Sequence, residues 1–223
     1  MTQWEFKEIE DFMLQHMQDS AHDKHHVYRV LNAAIDIAQS ETWVDMDVLI
    51  AAALLHDVGR ERQFDDLENL CHAQIGGDMA YEFLLEQNWD DDKALHVKDC
   101  INSHRYRGDN PPTSIEAKIL FDADKLDVCG LIGIARTLVY SGRINEPIYI
   151  MTDDGSIVTE GGGAEISSFF QEYNYKLKKV HASLYTARAA EIAEKRQKSA
   201  ANFYETLHVE IIESYENAKI LNF

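Results

Sequence analysis

The residues best equipped for chemistry in this 223-residue chain are His56 and Asp57, adjacent at the end of the apolar run Ala51-Ala-Ala-Leu-Leu. A protein interior rejects an imidazole and a carboxylate unless they are paired or bound to a cation. A neutral imidazole beside a carboxylate is a mixed nitrogen and oxygen donor pair, suited to a divalent transition metal. Two donors do not make a site, but other apolar stripes end in residues of the same kind: His26, His72, His104 and Asp124. Taken singly, each histidine reads more simply as a core residue with a hydrogen-bond partner. Taken together, they argue for one polar centre. Three nitrogens and a water would suit zinc. Two histidines and two carboxylates suit Mn(II), Fe(II), Co(II), Ni(II), Zn(II) or Mg(II), with positions left for water and substrate. Water activated by such an ion near neutral pH points to hydrolysis of a phosphate ester or anhydride. Lys24, Arg29, Arg60, Arg62, Arg105, Arg107 and Lys125 cluster near the histidine-rich segments, where they would stabilise charge spreading over phosphate oxygens.

Helices must position these groups. Leu49, Ala52, Ala53 and His56 share one face of a helix started by Asp45 or Asp47, and Gly59 fits the C′ position that would end it. Asp23 can cap the preceding helix, which turns His26, Val30, Ala33 and Ile37 inward. An amphipathic helix from Trp4 to about Met17 comes before it. After a charged loop, Arg60 to Asn69, the periodicity predicts helices from about His72 to Gln87 and from Asp90 to about Ser103, the second aligning Val97, Cys100, Ile101 and His104. Thr113 or Ser114 caps a further helix with the stripe Ala117, Leu120, Phe121 and Asp124. Gly130 and Gly133 would let helices approach closely. The turn Asp153-Asp-Gly-Ser predicts a small β-hairpin insertion over about 148–160, followed by C-terminal helices over about 167–220. The expectation is an all-α single domain, 1–223, carrying that hairpin.

Composition limits the partners. A formal charge of -18 repels nucleic acid and anionic membranes at long range, yet permits a small phosphorylated ligand held by local cations. Cys71, Cys100 and Cys129 sit at no zinc-ribbon spacing, as expected of reduced thiols in a cytoplasmic protein. No apolar run approaches the roughly 20 residues needed to cross a bilayer. His16, His96, His181 and His208 join no stripe, while His22 and His25 lie nearer the centre. No feature specifies an oligomeric state.

The order of the motifs adds a resemblance. His22-Asp-Lys-His-His26-Val-Tyr-Arg29, then His56-Asp57-Val-Gly-Arg60, then Asp122-Ala-Asp124-Lys-Leu-Asp127 resembles the HD-domain metal-dependent phosphohydrolase superfamily over about residues 20–136. Ser103-His104, the segment 122–127 and Gly133-Ile-Ala-Arg136 look like the bacterial branch that includes a deoxynucleoside triphosphate pyrophosphohydrolase. The resemblance implies an HD-domain helical bundle and metal ligands at His26, His56, Asp57 and Asp124. It implies phosphate contacts for Arg60, Lys125 and Arg29, a proton-handling role for Glu61, and for Asp127 either binding of the attacking water or orientation of a ligand. His72 and His104 resemble the extra histidines that bind a second metal in dinuclear members, or else they contact phosphate in a one-metal enzyme. A nucleotide is the expected substrate. The alternatives are a dinuclear phosphodiesterase or oxygenase and a non-catalytic nucleotide-sensing module.

Overall fold

Asp45 starts the helix on which the first part of the molecule is built: its carboxylate accepts the backbone N–H groups of Asp47 and Val48, satisfying donors that a helix start leaves open. The computed structural model describes residues 1–16, 24–60, 71–105, 110–161 and 167–216. They pack as two compact units, residues 1–127 with 184–189 and residues 128–183 with 190–223. The predicted Asp23 cap and the end of the first helix at Met17 lie outside the described residues, as do His22, Glu61, Arg62, Arg107 and most of the loop after Arg60.

The first unit contains α1 (Gln3–Gln15), α2 (Lys24–Ala38), α3 (Met46–Leu55), α4 (His72–Glu86), α5 (Asp91–Ser103) and α6 (Ile115–Leu126). Thr2 and Glu5 close a capping box on α1, Asp90 caps α5, and Ser114 rather than Thr113 caps α6. Helix α3 is central and packs against α1, α2, α4, α5 and α6. Its residues from Val48 to Leu55 are buried all round, Ile50 excepted, in keeping with the apolar run that the sequence places there.

The helix also ends earlier than expected, at Leu55, and residues 56–59 form a turn. Gly59 is therefore not a left-handed C′ residue. Its role is close approach: a Cβ there would meet the His72 carbonyl oxygen at 2.3 Å and the Gly76 nitrogen at 2.5 Å. Backbone thus packs directly on backbone between this turn and the start of α4.

The second unit contains α7 (Gly130–Arg143), α8 (Phe169–Tyr175), a 3-10 helix (Leu177–Ser183) and most of α9 (Ala187–Glu216). Its core gathers Ile134, Ile157, Phe169, Phe170, Tyr173, Leu177, Ala200, Tyr204 and Ile211. Gly130, at φ +73°, would bring a Cβ to 2.8 Å from the Arg196 Cβ, the close approach expected of it, whereas Gly133 packs on the carbonyl of Val128 just before its own helix.

The predicted hairpin is not formed. Among the described residues, the segment shows one antiparallel bridge, Met151 with Ile157, around a turn in which Gly155 takes φ +82°. The reason lies in where the flanking carbonyls point. Next to the turn, Thr152 N–H donates to the Ser156 carbonyl and Val158 N–H to the Ile150 carbonyl, but further out Pro147 and Ile148 accept the N–H groups of Phe169 and Phe170 at the start of α8, so the pairing extends no further. Among the described residues, no helix is long and apolar enough to cross a membrane. Among the described residues, Cys71, Cys100 and Cys129 form no disulfide.

Candidate metal centre

All of the predicted ligand residues belong to the first unit, and the packing of α3 explains how they meet. His26 comes from the first turn of α2, His56 and Asp57 from the turn after α3, His72 from the start of α4, His104 from the end of α5, and Asp124 from the last turn of α6. His26, His56, Asp57, His72 and His104 are buried, and the Asp124 side chain is 19% exposed.

Three histidines are held by their Nδ1 atoms, leaving Nε2 to face the centre. His56 Nδ1 donates to the Ala53 carbonyl at 2.8 Å, His104 Nδ1 to the Ile101 carbonyl at 2.6 Å, and His26 Nδ1 to the Asp127 carboxylate at 2.7 Å. In the neutral imidazole each Nε2 then carries a lone pair. The His26 and His56 Nε2 atoms stand 3.2 Å apart. Two lone pairs at that distance repel unless a cation or a proton lies between them.

Asp57 completes the convergence. One of its carboxylate oxygens lies 3.3 Å from His26 Nε2 and 3.5 Å from His56 Nε2, the other 3.7 Å from both His72 Nε2 and His104 Nε2. Neither oxygen has a well-aligned hydrogen bond, although both are buried and Arg60 Nε lies 2.7 Å from one of them. Asp124 approaches His26 Nε2 at 3.6 Å. Two donor groups result, His26 with His56 and Asp57, and Asp57 with His72 and His104, each with its donor atoms within 4.8 Å of one another. A buried carboxylate without aligned donors, facing imidazole lone pairs, fits a divalent cation by charge and by donor type.

Electrostatics agree with that reading. Burial works against ionisation of Asp57, but the His56 imidazole, Arg60 and His26 hold it well below the usual carboxylate range. Burial likewise opposes Asp124, and Lys125 with the neighbouring imidazoles outweighs it. Burial depresses His56, pushes His104 down to about 4 and, with Arg60 close by, His72 to about 2, so these rings are neutral imidazoles at pH 7. His26 differs: burial pushes it down, but the Asp127 hydrogen bond and Asp57 more than offset this and raise it to about 9.

The cations are near the donors. Lys125 Nζ lies 3.7 Å from Asp124 and 5.0 Å above the Phe121 ring. Arg29 forms a fork on Asp127, with Nε at 2.6 Å and Nη2 at 2.9 Å. His25 is exposed and turns away from the centre, His16 binds the Phe12 carbonyl, and His96 faces Glu116.

Two residues beside the centre take parts that sequence reasoning did not assign. Arg105 Nη1 donates to His72 Nδ1 at 3.0 Å, reversing the tautomer of that ring relative to the other three. Asp122, fully buried, accepts the N–H groups of Tyr185 at 2.9 Å and Thr186 at 2.7 Å and the Thr186 hydroxyl at 2.6 Å. The Thr186-Ala187 junction was a readable helix start, since threonine caps helices. Its remote acceptor was not.

Residues 24–129 match the HD domain family. The chain is 28% identical over 196 residues to YpgQ of Bacillus subtilis, covering 87% of this chain and 86% of that protein. A crystal structure of Bacillus subtilis YpgQ in complex with ADP superposes with a TM-score of 0.71 at 25% identity, over 92% of this chain and 97% of the other. A predicted HD superfamily hydrolase from an uncultured Thermotogales bacterium does so with a TM-score of 0.63 at 28% identity, over 92% and 91%.

Proposed function

Because the chain belongs to the HD superfamily of hydrolases, we propose that it is a metal-dependent phosphohydrolase of small phosphorylated substrates, nucleotides foremost. On this reading His26, His56, Asp57 and Asp124 hold one divalent ion, of Mn, Fe, Co, Ni, Zn or Mg. The observation that carries it is the convergence of the His26 and His56 Nε2 atoms, 3.2 Å apart, on the buried Asp57 carboxylate. The bound ion supplies Lewis acidity toward a phosphoryl oxygen and lowers the pKa of water. The ADP seen in YpgQ supports a nucleotide, and the resemblance to the bacterial branch supports release of pyrophosphate from a nucleoside triphosphate.

The remaining residues then take distinct parts. Arg60 and Lys125 bind the substrate phosphates, Arg60 turning its guanidinium from Asp57 toward a phosphate oxygen. Of the two roles open to Asp127, orientation is favoured, and Arg29, expected on phosphate, joins it: both Asp127 oxygens are engaged, by Arg29 and by His26, so the pair fixes the His26 ring and tautomer. Glu61 follows Arg60 directly and is kept as a proton-handling candidate.

The second donor group, Asp57 with His72 and His104, favours a second reading, a two-metal phosphodiesterase or oxygenase. Arginine only donates, so the Arg105 bond makes His72 Nδ1 an acceptor and puts the proton of the neutral ring on Nε2. An Nε2–H suits a phosphate oxygen and cannot ligate a cation. His104 keeps a lone pair, suited to accept a hydrogen from water. One metal is therefore the favoured count. Elemental analysis of metal per chain, run with a nucleotide hydrolysis screen that separates pyrophosphate from phosphate release, tests this. Two ions per chain would move the function to the second reading, and metal binding without turnover would leave a nucleotide sensor.

A further inference from the structure

The motif Phe121-Asp122-Ala-Asp124-Lys125 does more than bring Asp124 to the centre. Asp122 grips residues 185 and 186 through the N–H groups of Tyr185 and Thr186 and the Thr186 hydroxyl. Those bonds set the Tyr185 ring edge-on to Phe121, with centroids 5.2 Å apart and planes at 82°. Phe121 is itself buried, and its face carries the Lys125 ammonium at 5.0 Å. The Tyr185 ring therefore lies no more than about 10 Å from the Lys125 nitrogen, a span that a sugar bridges between a phosphate and its base. Yet Tyr185 remains 42% exposed.

An aromatic ring pinned through its own backbone nitrogen, open on one side and tied by direct contacts to a phosphate-binding cation, has the properties of a stacking platform. Little conformational freedom is left to lose when a flat ligand lies on it.

We propose that Tyr185 is the nucleobase subsite of the centre: the base of a nucleotide stacks on its ring while the phosphates reach Lys125 and the metal ligands. This rests on the nucleotide reading above. Stacking on an aromatic face tolerates every base, so the platform selects nucleotides over bare phosphates and not one base over another.

The test is calorimetric binding of ADP and of inorganic pyrophosphate to the Mn(II)-loaded full chain, wild type against Tyr185→Ala, Tyr185→Leu and Tyr185→Phe. Loss of the ring in the Ala and Leu variants should weaken ADP by on the order of tenfold, the Phe variant should bind like wild type, and pyrophosphate should be unaffected throughout. The Leu variant keeps an apolar cover on Phe121, so it carries the result if the Ala variant folds poorly. ADP affinity unchanged in the Ala and Leu variants overturns the subsite while the nucleotide reading stands. Equal weakening of ADP and pyrophosphate also overturns it, since Tyr185 would then only shape the phosphate site. A wild-type protein that binds pyrophosphate but not ADP overturns the nucleotide reading and the subsite together.

Discussion

The two units organise their interiors by different rules. In the first, the buried side chains around α3 include four histidines and three aspartates, each placed by a directional bond or facing a fixed neighbour. In the second, the core is a set of aromatic and aliphatic side chains, with Tyr173 stacked on Tyr204 at 4.3 Å and Phe170 tilted against Tyr204 at 4.9 Å. Among the described residues it buries no histidine and no carboxylate. The apolar core gains stability in proportion to area and tolerates rearrangement at modest cost. The polar centre gains little stability from its charges and depends on geometry instead. Substitutions should therefore separate function from stability along this division.

The largest effect is expected at Asp57, whose carboxylate serves both donor groups. Asp57→Ala should remove bound metal and hydrolysis together while the near-ultraviolet dichroism of the aromatic core persists; wild-type metal content in that variant would break the comparison. Next comes Phe170→Ala in the other core, expected to cost about 3–5 kcal/mol of unfolding free energy. The metal content of the folded fraction should not change. A coupled loss of metal, read by elemental analysis after removing unfolded protein, would show that the division does not hold.

Smaller effects sharpen the picture of the polar centre. Asp127→Asn keeps the shape but weakens the orientation of His26, and metal affinity in a chelator competition should fall about 10–100-fold. Arg60→Met and Lys125→Met should each raise KM or lower kcat by roughly tenfold with metal still bound, as for a charge-assisted hydrogen bond of about 1.5–3 kcal/mol. Unchanged kinetics in both would place the phosphates elsewhere.

The smallest effect is a single proton. With His26 raised to about 9, the metal-free centre holds a proton between two imidazoles at pH 7, and binding a cation must expel it. Calorimetry in buffers of different ionisation enthalpy should register that release at pH 7 and lose it above about 9. Stability of the metal-free protein carries both signs. The raised His26 contributes below the unfolded value of 6.5, and that contribution is lost as pH rises through about 9. The depressed His104 contributes above 6.5, and its share is lost as pH falls toward about 4.

Much of the candidate centre was legible because its residues end helical stripes: His26, Asp124 and His104 stand where a 3.6-residue period puts them. The end of α3 was misplaced because Gly59 was read as a conformational signal when its role is steric, which only the neighbour across the gap reveals. The hairpin had a sound turn signal in Asp153-Asp-Gly, but its pairing stops after Thr152–Ser156 and Ile150–Val158 because α8 takes the next carbonyls, those of Pro147 and Ile148. Asp122 reaches residues 63 and 64 positions away, and Arg105 reaches 33 positions back to His72. No local period encodes such pairings.

The gap at Gly59 acts as a ruler for the centre. Because the turn bearing His56 and Asp57 rests on the His72 carbonyl and on Gly76 without an intervening side chain, the distance from Asp57 to His72 is set by two backbones in contact. Even one methyl group would have to move the start of α4 outward and take the His72 ring with it. A saturation library selected for hydrolysis should thus return glycine at position 59 as strictly as aspartate at 57, although residue 59 carries no group that could touch a substrate.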